Sequence, residues 1–304
     1  MNRVDTQNYI IRRRIKDHVF SFALLLPAFT LLALFIIYPM ISTIRLSFNS
    51  WKGIYGVPYE FIGFKNYEKI LGSDVFWNAL INSVYFMVGT FVVLMPLSFG
   101  LALLVTSRLR FRSFMKTMYY LPVMIGTTTV ALLWRGFLNP STGVFAGILN
   151  SVGLGGLVKD WLHEAPLNVW ITVLINEWKF AGYNMLIFAA GISSIPGDLH
   201  EEAQIDGCNG WQRLRYITLP LCKNSFKVFS ILGITGCLKV FDIMWAMTGG
   251  GPNDASSTPG ILVYQYAYTY KKYGRSAAIA VLLLVLGMAA SIVCNRVFKQ
   301  EELY

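Results

Sequence analysis

Four charged side chains lie inside long apolar stretches of this 304-residue chain: Glu177, Lys179, Lys239 and Asp242. Charge is costly in a hydrocarbon setting, so such residues face a bundle interior or a water-filled route and find partners there. Lys239 and Asp242 are three apart, a spacing that sets both on one face of a helix. Beside Glu177 and Lys179 stand Trp178, Tyr183 and Asn184, which add aromatic faces and an amide. Two readings are open. These residues line the route of a polar solute, or the charges pair with one another or with a second subunit and fix helix packing. The charges fit packing better; Trp178, Tyr183 and Asn184 fit either.

A second polar constellation runs from Glu201 to Pro220 between apolar runs. Pro196 stops the run before it, and Asp198 with Glu201 three residues on has the spacing of a capping box. Asn209 with Gln212 repeats that spacing, so the stretch predicts two short helices. Gly207 and Gly210 fall at the bend, where a positive φ or a close backbone approach excludes a Cβ. Glu201, Glu202 and Asp206 offer acidic groups to a basic partner surface.

Other chemistry is excluded by its missing parts. No GxxxxGK[ST] phosphate loop occurs, and Gly249, Gly250 and Gly251 have no Lys behind them. There is no nucleophile elbow, HExxH or paired-carboxylate pattern. Cys208, Cys222, Cys237 and Cys294 form no CxxC, and His18, His163 and His200 show no metal spacing. The chain is therefore not expected to be an enzyme or to bind a cofactor or metal itself.

The elements that must position these groups are apolar runs. The chain is 55% hydrophobic and 14% charged, against about 25% charged in a soluble domain. Runs at 19–44, 79–106, 118–137, 168–195, 226–247 and 277–297 predict an all-α membrane protein of six transmembrane helices, since about 20 helical residues cross a hydrocarbon core. Arg12, Arg13, Arg14 and Lys16 precede the first run, and Arg108, Arg110, Arg112 and Lys116 follow the second. Both clusters mark the cytoplasmic side, which puts both termini and the 201–220 loop inside. Lys271, Lys272 and Arg275 oppose this orientation. The 108–116 cluster fits a topology anchor better than a site for anionic lipid head groups. Basic residues at the ends of runs also account for the net charge of +10 without nucleic acid. The first run is long enough to span and lacks a small-residue cleavage pattern, so no cleaved signal peptide is expected. Segment 51–77 has the aromatics of an outer interface, and 139–166 reads as an external loop with a short interfacial helix. The domains are then a basic N-terminus at 1–18, a six-span domain at 19–298 with its loop at 197–220, and a tail at 299–304.

Glu201, Ala203, Gly207, Ile217, Leu219 and Pro220, in that spacing, resemble the cytoplasmic loop signature of integral membrane subunits of binding-protein-dependent ABC importers, above all their carbohydrate-uptake branch. Glu202 departs from the Ala usual there. Segments 61–67, 241–243, 248–252 and 273–278 are also similar to sugar permeases, so the likeness extends over 20–298. The resemblance implies a type I importer permease fold in a bacterial or archaeal plasma membrane. It also implies a second, homologous permease, two ATPase subunits that hold ATP and Mg, and an external solute-binding protein. The 201–220 loop would couple to the ATPase through Glu201, Glu202, Ala203, Asp206, Gly207, Ile217, Leu219 and Pro220. Trp178 and Tyr183 would stack on sugar faces and Asn184 bond hydroxyls, with Glu177 and Asp242 on the same route. The large external insertion of the maltose-type long subunit is missing, which points to the general oligosaccharide branch. Glycerol phosphate or another polar solute is an alternative cargo. Rivals of other classes are an ion-coupled secondary transporter using Glu177 or Asp242, and a structural membrane protein.

Overall fold

The computed structural model describes residues 22, 24–54, 56, 58–107 and 109–298. The basic cluster from Arg12 to Lys16, Arg108 and the tail from 299 lie outside these residues. Hydrocarbon offers no hydrogen bonds, so a spanning backbone must satisfy itself, and helices dominate. In chain order they are α1 (Leu24–Ser47), α2 (Lys65–Leu71), α3 (Asp74–Thr106), α4 (Arg112–Met124), α5 (Thr127–Phe137), α6 (Val144–Ser151), α7 (Leu167–Ser193), α8 (Gly197–Ile205), α9 (Gly210–Leu221), α10 (Lys223–Leu238), α11 (Asp242–Thr248), α12 (Pro259–Tyr264) and α13 (Tyr273–Val297). A two-residue antiparallel pair, β1 (Asn49–Ser50) and β2 (Glu60–Phe61), sets Asn49 opposite Phe61.

By length and composition, α1, α3 and α13 can each cross a membrane, and the number reaches five if the bent pairs α4–α5 and α9–α10 each form one span. The remaining expected span, 168–195, corresponds to α7, whose 27 residues reach about 40 Å at 1.5 Å per residue. Two expected spans are not single helices. The 118–137 run bends by 90° between α4 and α5, after Pro122 has removed a backbone donor from the last turns of α4. The 226–247 run stops at Leu238 and restarts at Asp242, so Lys239 and Asp242 flank a break and do not share a helical face. Tertiary contacts hold that break open. The Thr258 hydroxyl donates to the Val240 carbonyl at 2.6 Å, and Gly260 sits so close to the same carbonyl that a Cβ would clash.

Helix α7 is the hub, with α3, α4, α10 and α11 packed on it. Between helices in lipid there is little hydrophobic driving force, so close van der Waals approach and buried hydrogen bonds hold the bundle. Small residues allow the approach. A Cβ on Gly182 would strike the Tyr119 carbonyl of α4, and one on Gly191 the Ser225 hydroxyl of α10. Toward the α8 end of α7, Phe188 meets Phe99, Phe226 and Phe229 at ring-centroid distances of 5.5, 4.9 and 5.3 Å. Toward its other end, the partly buried loop after α11 is fastened by side-chain amides. Asn82 donates to the carbonyls of Ala255 and Ser257, both at 2.8 Å, and Asn168 to that of Gly251 at 3.1 Å. Gly249, at φ +64°, supplies the left-handed residue that ends α11.

Four π-helical turns occur among the described residues, at Ala33–Ile37, Thr90–Leu94, Leu214–Thr218 and Gln265–Thr269. The Thr90–Leu94 turn lies within α3, at the level where the fold opens into a cleft.

The Gly182 contact is backbone against helix and has no flexible side chain to give way. Gly182→Val is expected to destabilise the purified chain by about 1–3 kcal/mol, read as a lower thermal midpoint in detergent. An unchanged midpoint would show that α4 and α7 are not in this contact.

Candidate functional site

A cleft of about 360 Å³ opens between α3, α7, α10 and the break before α11. It falls at the lower end of the roughly 300–1,000 Å³ typical of small-molecule sites. Tyr183 and Asn184 reach it from α7, and Lys239, Phe241 and Asp242 from the break. Thr90, Asn176, Phe180 and Cys237 complete the polar and aromatic lining. The Asn184 amide donates to the Phe180 carbonyl at 3.0 Å, which leaves its side-chain oxygen available to a solute. Asp242 sits in the first turn of α11, where the helix dipole favours a carboxylate. Amides, hydroxyls and aromatic faces, with one amine and one carboxylate, suit a compact polyhydroxylated solute better than a bare ion.

Glu177 and Trp178 do not line this cleft. Trp178 is half exposed and meets Trp134 edge to face at 5.7 Å. Glu177 is fully buried behind the lining and accepts a hydrogen bond from Thr90 Oγ1 at 3.2 Å. Thr90 Oγ1 also lies 3.3 Å from Cys237 Sγ. Since the single Thr90 proton goes to Glu177, the Cys237 thiol is the donor in that contact. One hydroxyl therefore ties α3, α7 and α10 together beneath the cleft.

Of the two pairings expected for the four charges, the one with each other is absent among the described residues. Among the described residues the ion pairs are Lys159–Glu164 and Asp160–His163. Buried Lys179 instead reaches the Val123 carbonyl at 3.4 Å and lies 4.6 Å from the centre of the Phe180 ring. That carbonyl belongs to the last turn of α4, where the break leaves acceptors without helical partners, and a cation there also complements the helix dipole.

At the far end of α7, α8 and α9 form a helical hairpin. Its turn is a Schellman closure: Cys208 N–H donates to the Ala203 carbonyl at 2.9 Å and Gly207 N–H to that of Gln204 at 3.2 Å, with Gly207 at φ +80°. The box expected at Asn209 and Gln212 is present, with reciprocal bonds of 2.9 and 2.7 Å. The box expected at Asp198 and Glu201 is not. Helix α8 begins at Gly197, directly after Pro196, which places Asp198 inside its first turn with no capping bond. Gly210 opens α9 without a positive φ.

The hairpin has two faces. Glu201, Glu202, Asp206, Gly207 and Pro220 are exposed, and Ile205, at 85% exposure, puts an apolar tip among the acids. Ala203 is buried, while Ile217 and Leu219 pack against the phenylalanine cluster. Thr90, Phe180, Cys237 and Ile205 carried no signal in the sequence, because each is an ordinary residue for its surroundings there.

Apolar helices around a polar cleft, with a hairpin projecting at one end, define a membrane transport subunit. The chain belongs to the family of binding-protein-dependent transport system inner membrane components, whose profile matches residues 95–299. It is 31% identical over 287 residues to the probable starch degradation products transport system permease protein AmyD of Thermoanaerobacterium thermosulfurigenes, covering 94% of this chain and 96% of that one. It is 30% identical to the trehalose/maltose transport system permease protein MalF of Thermococcus litoralis, covering 95% and 97%. A chain of a bacterial ABC transporter involved in the import of the acidic polysaccharide alginate superposes with a TM-score of 0.83 at 25% identity, over 96% of this chain and 99% of that one. The chain is thus an ABC transporter permease of the type I importer fold, a multi-pass membrane subunit and not an enzyme.

Removing the shared hydroxyl by Thr90→Val leaves the buried Glu177 carboxyl without that donor. The expected cost is about 1–3 kcal/mol of stability, largely restored by Thr90→Ser, as measured by thermal unfolding of the solubilised chain. Equal stability of wild type and valine variant would refute the three-helix tie.

Proposed function

We propose that this chain is one permease subunit of an ABC importer for a sugar or oligosaccharide, and that the cleft between α3, α7 and α10 is its part of the translocation route. The composition of the cleft carries this reading. Tyr183, Phe180 and Phe241 offer faces for sugar rings, Asn176 and Asn184 offer amides, and Lys239 and Asp242 balance in charge. The names of the starch-product and trehalose/maltose relatives support the same substrate class. Lys239 also keeps a second cargo in view, an anionic solute such as glycerol phosphate.

In this reading a second, homologous permease completes the route, an external solute-binding protein delivers the sugar, and two ATPase subunits bind ATP and Mg. Six crossings, with α7 as one, put both termini and the α8–α9 hairpin in the cytoplasm of a bacterial or archaeal cell. The division into 1–18, 19–298 and 299–304 follows from that topology. The hairpin seats in a cleft of the ATPase. Glu201, Glu202 and Asp206 meet basic groups, Ile205 fills an apolar hollow, and Gly207 keeps the approach close. Ala203, Ile217 and Leu219 fasten the hairpin to the bundle and Pro220 adds to its exposed face, so closure of the ATPases on ATP moves the spans and opens the route outward. Glu177 and Trp178 act behind the route, through packing, more than on the solute.

Among the described residues, nothing beyond its chain neighbours lies within 4 Å of a Cβ built on Gly207, and Asp is among the side chains that best tolerate a left-handed φ. Gly207→Asp is therefore expected to leave membrane insertion intact while abolishing uptake and the recovery of an ATPase with the tagged chain in mild detergent. Recovery of neither permease nor ATPase with the wild-type chain would overturn the importer reading, and full uptake by the variant would overturn the coupling role.

Tyr183→Ala is expected to raise the half-saturating sugar concentration for uptake by roughly tenfold, in line with loss of one aromatic contact of about 1 kcal/mol or slightly more. Complex assembly should be unchanged. Loss of assembly in step with uptake would make Tyr183 a packing residue.

A further inference from the structure

A second cleft, of about 440 Å³, opens at the hairpin end of the bundle, between the last turn of α3, the start of α4 and the last turns of α7. Its rim and its floor differ in chemistry. On the rim, Arg112 and Lys116 stand one turn apart on α4, and Ser113 and Ser193 border the same space. The floor is apolar, built of Leu186, Ala189 and Ala190 of α7. Neither cation has a carboxylate within ion-pairing reach among the described residues. Helix α4 starts with no acidic residue in its first turn and no side-chain cap, so its positive end adds to the two cations. Phe111 and Phe114, 67% and 64% exposed, project beside them. Two unpaired cations next to exposed aromatic rings, at the ends of spanning helices, belong at the level of lipid head groups.

We propose that this cleft is a binding site for an anionic phospholipid. Arg112 and Lys116 hold the head-group phosphate, Ser113 and Ser193 donate hydrogen bonds to it, and the first acyl carbons lie on Leu186, Ala189 and Ala190. A topology anchor needs the two charges but has no use for a cleft with an apolar floor. Free phosphate would use the same donors but leaves the floor and the flanking rings without a role. The proposal requires the chain to sit in a membrane and does not depend on which solute it carries.

The test uses the full chain in nanodiscs of phosphatidylcholine doped with phosphatidylglycerol that bears a photoactivatable group on the first acyl carbons, with cross-linked peptides mapped by mass spectrometry. Labelling of 105–116 and 186–193 is expected. It should fall roughly tenfold or more in Arg112→Gln/Lys116→Gln, since each basic group near an anionic surface contributes about one factor of five. Ala190→Phe fills the floor and keeps every charge. It should lose labelling to a similar extent while cysteine-accessibility mapping finds the topology unchanged, which a pure anchor would not produce. Equal labelling by the matched phosphatidylcholine probe, or full labelling in the Ala190→Phe variant, would overturn the site. Displacement of the label by millimolar inorganic phosphate would reassign it to a soluble anion and overturn the lipid.

Discussion

A backbone carbonyl or amide inside a membrane protein has no water to turn to, and much of this fold follows from that constraint. Unbroken helices satisfy it without help. Where the helices break, a polar side chain from elsewhere supplies the missing partner. Lys179 serves the Val123 carbonyl at the end of α4, Thr258 serves Val240 at the gap before α11, and Asn82 and Asn168 serve the loop beyond α11. The breaks in turn make the cleft. If α10 ran straight on into α11, Phe241 would point to a different face from Lys239 and Asp242, and the three would not converge on the space before Tyr183 and Asn184.

Polarity within the apolar runs thus has two origins that look alike in a sequence. Glu177 and Lys179 are buried and committed to Thr90 and to the α4 carbonyl. Tyr183, Asn184, Lys239 and Asp242 border open space. Only the second group borders the cleft. Helix α7 carries members of both, one or two turns apart, which makes it at once the structural hub and a wall of the cleft.

The apolar runs were legible because their lengths are set by hydrocarbon thickness, and the hairpin because caps are local. The Asn209–Gln212 box and the left-handed Gly207 depend on neighbours within a few residues. The Asp198–Glu201 spacing misled because Pro196 caps α8 and Gly197 starts it, two residues too early for Asp198 to be its cap. The gap at 239–241 was hidden because the residues that hold it, Thr258 and Gly260, lie some twenty positions away and act only once the chain has folded. Lys239 and Asp242 line one cleft without forming an ion pair, and they meet there across a break and not on a helix face. Thr90 was hidden for a simpler reason, as one hydroxyl in an apolar run resembles any threonine that bonds its own helix.

The π turn at Thr90–Leu94 is closed by one more residue than an α turn. Each added residue swings every later side chain on the helix by about 100°. The face that Phe99 shows to the phenylalanine cluster is therefore turned by about 100°, relative to the face that Thr90 shows to the cleft, from where a regular helix would put it. Compared with a relative whose third helix is regular throughout, this chain would need a one-residue gap in the middle of a membrane helix, where alignments are least willing to place one. A gapless alignment would keep the hydropathy profile nearly intact and assign the wrong wall residues to the cleft.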